Sequence, residues 1–166
     1  MVDVGYCGSE PTRWELFEPG SSMRRRICRW GILPSWDDGG DATRTCTVPA
    51  DTALFFPVVN SFITGEEDAY PECAADFVDS ALANGEPYAT LDGKNLKMRR
   101  IATGPFTLTV PENNIFGAPA GPYTAVSDGL WVYLPQGLEP GEYTVQFGGD
   151  FGDVTSLNIT YELIVV

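Results

Sequence analysis

The loop "WDDGGDATRT" sets Asp37, Asp38 and Asp41 close together around two glycines. Hard carboxylate oxygens at short spacing on a pliant turn suit calcium, and Asp150 and Asp153 of "GGDFGD" would add ligands from an adjacent loop. The spacing is not that of an EF-hand, which needs alternating ligands and a distal Glu. Asp and Gly are also what turns use for their own backbone bonds, so a calcium site and a plain turn both fit. A second constellation is aromatic. In "SDGLWVYLP", Leu130, Val132 and Leu134 share one strand face while Trp131 and Tyr133 share the other. Two rings at that spacing would make a platform for sugar stacking, extended by Trp36 beside the acidic loop. The competing reading is burial under the N-terminal segment or another sheet, since large rings are more often core than shelf.

Much catalytic chemistry is missing. The chain has no histidine, which removes nucleophile–His dyads, His metal ligands and His acid–base steps. No phosphate-cradling glycine loop is present. Lys94 and Lys97 lie in a polar hairpin, where the desolvation that activates an amine is not expected. A glycosidase pair could be drawn from the 23 acidic residues, but it would need a cleft. The expectation is a protein that is not an enzyme and needs no cofactor beyond the calcium just considered.

Cys7, Cys28, Cys46 and Cys73 show no CxxC spacing, so a zinc site is a poor fit. Two disulfides fit better and imply an oxidising compartment. Three pairings are open. Cys28–Cys46 with Cys7–Cys73 is favoured because the first would clip two neighbouring strands, while free buried thiols remain the alternative. "NIT" at Asn158–Thr160 is a glycosylation sequon, relevant in a eukaryotic source.

The net charge of −13 is uneven: no Lys or Arg occurs from Ile101 to Val166. Nucleic acid would be repelled. The basic cluster Arg24, Arg25, Arg26 and Arg29 reads as an anion contact or, more simply, as protection of a strand edge. No run reaches the length of a membrane span, because Pro57 and Asn60 interrupt the longest one. The opening "MVDVGYCGSEP" has neither the basic head nor the apolar stretch of a leader, so export would require a leader already removed.

The elements that must position these residues are mostly strands. Turn signals such as "EPG", "LDGK", "SDG" and "EPGE" separate short β-branched and aromatic stretches. Strands are predicted at Trp14–Glu18, Arg25–Leu33, Arg44–Val48, Ala53–Asn60, Tyr88–Leu91, Leu96–Ile101 and Phe106–Val110. Further strands are predicted at Tyr123–Ser127, Leu130–Leu134, Tyr143–Gly148 and Val154–Val165. "ATLDGKNL" reads as a hairpin closed at Asp92-Gly93. One segment differs: "YPECAADFVDSALANG" has an early Pro71 and a closing Gly85, with apolar residues at helical spacing. It predicts an amphipathic helix over 71–84. The run Ala53–Val59 is apolar throughout, so the second sheet is expected on one of its faces and this helix on the other, with Pro57 at a bulge. The fold class is therefore all-β, a two-sheet sandwich of jelly-roll or immunoglobulin-like type with one short helix, in one domain over 1–166.

Several of these segments resemble a group of mostly exported microbial proteins with no assigned activity. They are "RTCTVPADTALFFPVVNSF", "LDGK", "TGPFTLTVPENNIFGAPAG", "AVSDGLWVYLPQGLEPGEYTVQFGGDF" and "LNITYELIV". The likeness spans roughly Arg44 to Val166 and implies an all-β protein that is secreted or surface-located. It departs at Tyr143, where the group usually carries His before Thr, and in the N-terminal third. The reading that follows is a non-catalytic surface, matrix or filament subunit that self-associates or binds other surface proteins. The alternative is a polysaccharide-binding module, calcium-assisted through the aspartates above.

Overall fold

The computed structural model describes residues 40–65, 71–113, 118–151 and 156–166. The predicted strands Trp14–Glu18 and Arg25–Leu33 lie outside them. Nine strands and one helix follow in the order β1 (Gly40–Val48), β2 (Leu54–Gly65), α1 (Pro71–Asn84), β3 (Tyr88–Leu91), β4 (Lys94–Asn95), β5 (Met98–Ala102), β6 (Phe106–Val110), β7 (Gly121–Leu134), β8 (Gly141–Asp150) and β9 (Ser156–Val165). Sheet B runs β1-β9-β8-β3-β4, and sheet A runs β2-β7-β5 with β6 also on β7. The chain is thus an all-β two-sheet sandwich with one short helix, as its turn-punctuated alternation predicts.

The inner faces meet through aromatic packing. Phe56 of β2 tilts against Phe147 of β8 at 4.6 Å, and Phe147 stacks on Tyr161 of β9 at 6.2 Å. All three are buried, with Leu54, Val58, Val132, Val145, Ile159 and Leu163 around them. Arg44 of β1 also reaches inward: its Nη1 donates to the Tyr161 hydroxyl at 3.2 Å. Strands of both sheets pair antiparallel except β1 with β9, which run parallel. Alternation alone carries no signal for that pairing.

The hairpin is where the sequence puts it. Asp92 and Gly93 both take positive φ, 48° and 74°, so Leu91 pairs with Lys94 across a turn whose twist matches its strands. The bulge also falls beside the proline: Pro57 pairs with Trp131 and Val59 with Leu130, leaving Val58 extra. Proline is tolerated there because β2 ends the order of its sheet among the described strands.

Three expectations need correction. Helix α1 does not lie across β2 from the second sheet. Its buried Ala81 packs with Val59 and Leu130, and its Ala74 with Val126 and Ile63. Leu130 shares a face with Val132, which packs on sheet B, so helix and sheet B lie side by side on one inner face of sheet A. Strands β2 and β7 are simply too long for sheet B to cover, and the helix takes the remainder. Phe77, one of the apolar residues of α1, is left 38% exposed by this arrangement. Second, Tyr123–Ser127 and Leu130–Leu134 are not separate strands: "SDG" is mid-strand in β7. Third, Asp41 is not in a loop but in β1, in register with Asn158.

Candidate binding face on sheet A

Trp131 and Tyr133 point away from the sandwich, since Leu130, Val132 and Leu134 face inward. Trp131 lies between Pro57 of β2 and Arg99 of β5. Phe55, the cross-strand partner of Tyr133, stacks on the indole at 4.7 Å with planes 4° apart. The same ring meets Tyr133 edge-on, 6.3 Å away at 75°. The Trp131 and Tyr133 planes are therefore steeply inclined to each other, and one indole face is already taken by Phe55. The pair forms an aromatic wedge rather than a flat shelf. Tyr133 is 58% exposed and Trp131 half-buried.

Gly129 explains the indole's position. A Cβ built there would lie 2.7 Å from Trp131 Nε1, 2.6 Å from Asn60 Cβ and 2.9 Å from the Val59 carbonyl. The absent side chain lets the indole settle over the strand at Gly129, the cross-strand partner of Asn60. Among the described residues, the indole N–H, the Asn60 amide and the Arg99 guanidinium make no hydrogen bond or ion pair. Donors thus cluster beside an apolar surface, and the strands of sheet A place no carboxylate on this face. Phe55, Asn60 and Arg99 escaped the sequence reading, because only the register of three strands brings them to Trp131.

The inner side of β5 and β7 is arranged oppositely. Arg100 donates from Nε and Nη2 to Asp128, at 3.2 and 3.1 Å from Nε to the two oxygens and 2.7 Å from Nη2. It also donates from Nη1 to Asp79 of α1 and from Nη2 to the Ala75 carbonyl at 3.4 Å. Asp128 is 3% exposed. The hydrogen bond to Asp128, followed by that to Asp79, raises the guanidinium pKa above its usual range. The group is a clamp holding the helix to sheet A. Beside it lies an apolar cleft of about 270 Å³ lined by Ala74, Ala75, Ala102 and Val126. Its buried carboxylate is committed to Arg100, and its Ser127 hydroxyl donates to the Ser61 carbonyl at 2.9 Å.

The outer face of sheet B is polar. Tyr88, Gly148, Asn158 and Asp41 form one rung across β3, β8, β9 and β1. The Tyr88 hydroxyl donates to Asn158 Oδ1 at 2.5 Å, passing over Gly148. Gly148 has φ of +150°, and a Cβ there would meet the Leu157 carbonyl at 2.0 Å. Burial, and secondarily the charge of Asp41, push the Tyr88 hydroxyl pKa up. The sequon Asn158 and Thr160 are on this outward face, with Asn158 exposed. Asp41 and Asp150 stand on the two strands flanking β9. Asp37, Asp38, Asp153, Trp36, Cys7, Cys28 and the cluster Arg24, Arg25, Arg26 and Arg29 lie outside the described residues. Among the described residues, no three His, Cys, Asp or Glu side chains form a metal-holding group, and no helix is long and apolar enough to cross a membrane. Cys46 and Cys73 are both disulfide-bonded and not free.

No family model, curated protein or solved structure matches the chain.

Proposed function

We propose that this chain is a non-catalytic structural or interaction protein of the cell exterior, a subunit of a surface, matrix or filament assembly. Its contact surface is the outer face of sheet A. The observation that carries this reading is the exposure of large apolar side chains there: Tyr133 at 58%, Ile101 at 46% and Phe106 at 41%. Grouped apolar surface of that kind marks interaction sites. The bonded state of Cys46 and Cys73 supports an oxidising compartment, with Cys28–Cys46 and Cys7–Cys73 as the proposed pairing. The likeness to exported microbial proteins supports the same location. Light scattering on a sizing column, with protein from its native source, tests the reading. A mass many times 18.0 kDa is expected, and a monomer at every concentration would refute it.

A second reading, carbohydrate binding, is favoured by the uncommitted indole N–H of Trp131 and amide of Asn60 beside the aromatic wedge. Affinity electrophoresis in soluble polysaccharides, with and without calcium, tests it. Retardation lost in Trp131→Ala at unchanged thermal stability is expected, and equal migration of both proteins in every gel refutes it.

A further inference from the structure

The two outward faces of the sandwich are unlike, and in complementary senses. Sheet A presents the Trp131–Tyr133 wedge and the unengaged Arg99, with no carboxylate on that face among the described strands. In an acidic chain of net charge −13, such a face is unusual. Sheet B presents Asp41, Glu142, Asp150 and Glu162 outward; of the basic residues on its described strands, Arg44 turns in to Tyr161 and Lys94, at the far edge on β4, pairs with the inward-facing Leu91. One spot on it is mixed. Glu142 pairs directly with Ile164, and Glu162 lies two residues along the same strand face. Ile164 is 39% exposed, an apolar side chain with carboxylates on two sides.

We propose that copies of this chain stack head to tail, with sheet A of one copy seated on sheet B of the next. Arg99 of the first meets Glu142 and Glu162 of the second, and the Trp131–Tyr133 wedge covers Ile164. The inference rests on the subunit reading above and specifies its geometry. Pairing sheet A with sheet A would offer Arg99 no carboxylate. Pairing sheet B with sheet B would set carboxylate against carboxylate, which costs several kcal/mol across an interface. Only the unlike pairing satisfies both faces. Because the two contacting surfaces differ, each copy keeps one of each free, and the array extends as a filament unless the rotation closes it into a ring.

A charge-swap experiment tests this, using the full chain followed by sedimentation velocity and light scattering. Arg99→Glu, and separately Glu142→Lys with Glu162→Lys, should each raise the concentration for half-assembly roughly tenfold or more. An equimolar mixture of the two variants should assemble again, because every contact between them joins opposite charges. All three positions are exposed, so circular dichroism should report intact folds; if Arg99→Glu fails to fold, Arg99→Gln should show a smaller loss of assembly in the same direction. A wild-type chain that assembles but ignores these substitutions overturns the head-to-tail geometry and leaves the subunit reading standing. So does an assembly that stops at two copies, or a mixture that stays apart. A wild-type chain that is monomeric throughout refutes the subunit reading itself, and the stacking with it.

Discussion

Arg100 and Asp128 are diagonal neighbours on β5 and β7, since Arg100 pairs with Leu130 and Asp128 with Ala102, and the guanidinium closes on both oxygens of a carboxylate that is 3% exposed. Removing the guanidinium leaves the Asp128 carboxylate buried alone. Arg100→Ala should therefore destabilise the fold by about 3–5 kcal/mol. Asp79→Ala, at the exposed end of the same guanidinium, should cost about 1 kcal/mol or less. Urea denaturation of the two variants measures the ratio, and equal losses would contradict the clamp.

Gly129→Ala should push the indole off its seat. The new methyl would lie within 3 Å of Trp131, Asn60 and the Val59 carbonyl, and the last is backbone that yields little. A loss of about 1–3 kcal/mol is expected, with a shift in tryptophan emission as Trp131 moves. The wild-type spectrum at unchanged stability would refute the packing.

Tyr88 should tie stability to alkaline pH. Its folded pKa is raised above the ordinary value of 10.0, so the folded state holds the proton longer than the unfolded one. The contribution is fully present below about pH 10 and is lost as pH rises through the folded pKa. Urea midpoints at pH 8 and pH 11 should therefore diverge more in the wild type than in Tyr88→Phe, which cannot ionise. Parallel changes in both would exclude this group.

Phe147→Ala should be the most damaging core truncation on sheet B, because the ring touches both Phe56 and Tyr161. About 3–5 kcal/mol is expected, against about 1 kcal/mol or less for its outward neighbour Gln146→Ala. Thermal melts of both variants provide the comparison.

How far these features could be read from residue order varies with the physics behind each. The hairpin at Asp92-Gly93 and the helix from Pro71 were legible because local backbone preference decides them. The wedge was half legible: period-two alternation put Trp131 and Tyr133 on one face, but only pairing with β2 and β5 adds Phe55, Asn60 and Arg99. "SDG" misled for an instructive reason. Ser, Asp and Gly favour turns when nothing else claims them. Here Arg100 claims the aspartate and Trp131 needs the glycine's missing side chain, so long-range partners keep the segment extended. The placement of α1 also depended on a length mismatch between sheets, which no single strand records. Matches of Asp41 to Asn158 and of β1 to β9 are parallel and more than a hundred residues apart, beyond any local signal.

The position of β9 also has a consequence for synthesis. Strands β2, β5, β6 and β7 can complete sheet A once Leu134 has left the ribosome. Sheet B cannot close until Ser156–Val165 emerges, because that strand fills the gap between β1 and β8. Until then Phe56, Val58 and Val132 lack the cover of Ile159, Tyr161, Leu163 and Val165. A nascent chain paused before Ser156 is therefore a sticky, half-lidded species, and it is the one a chaperone or a transport machinery would find easiest to hold unfolded.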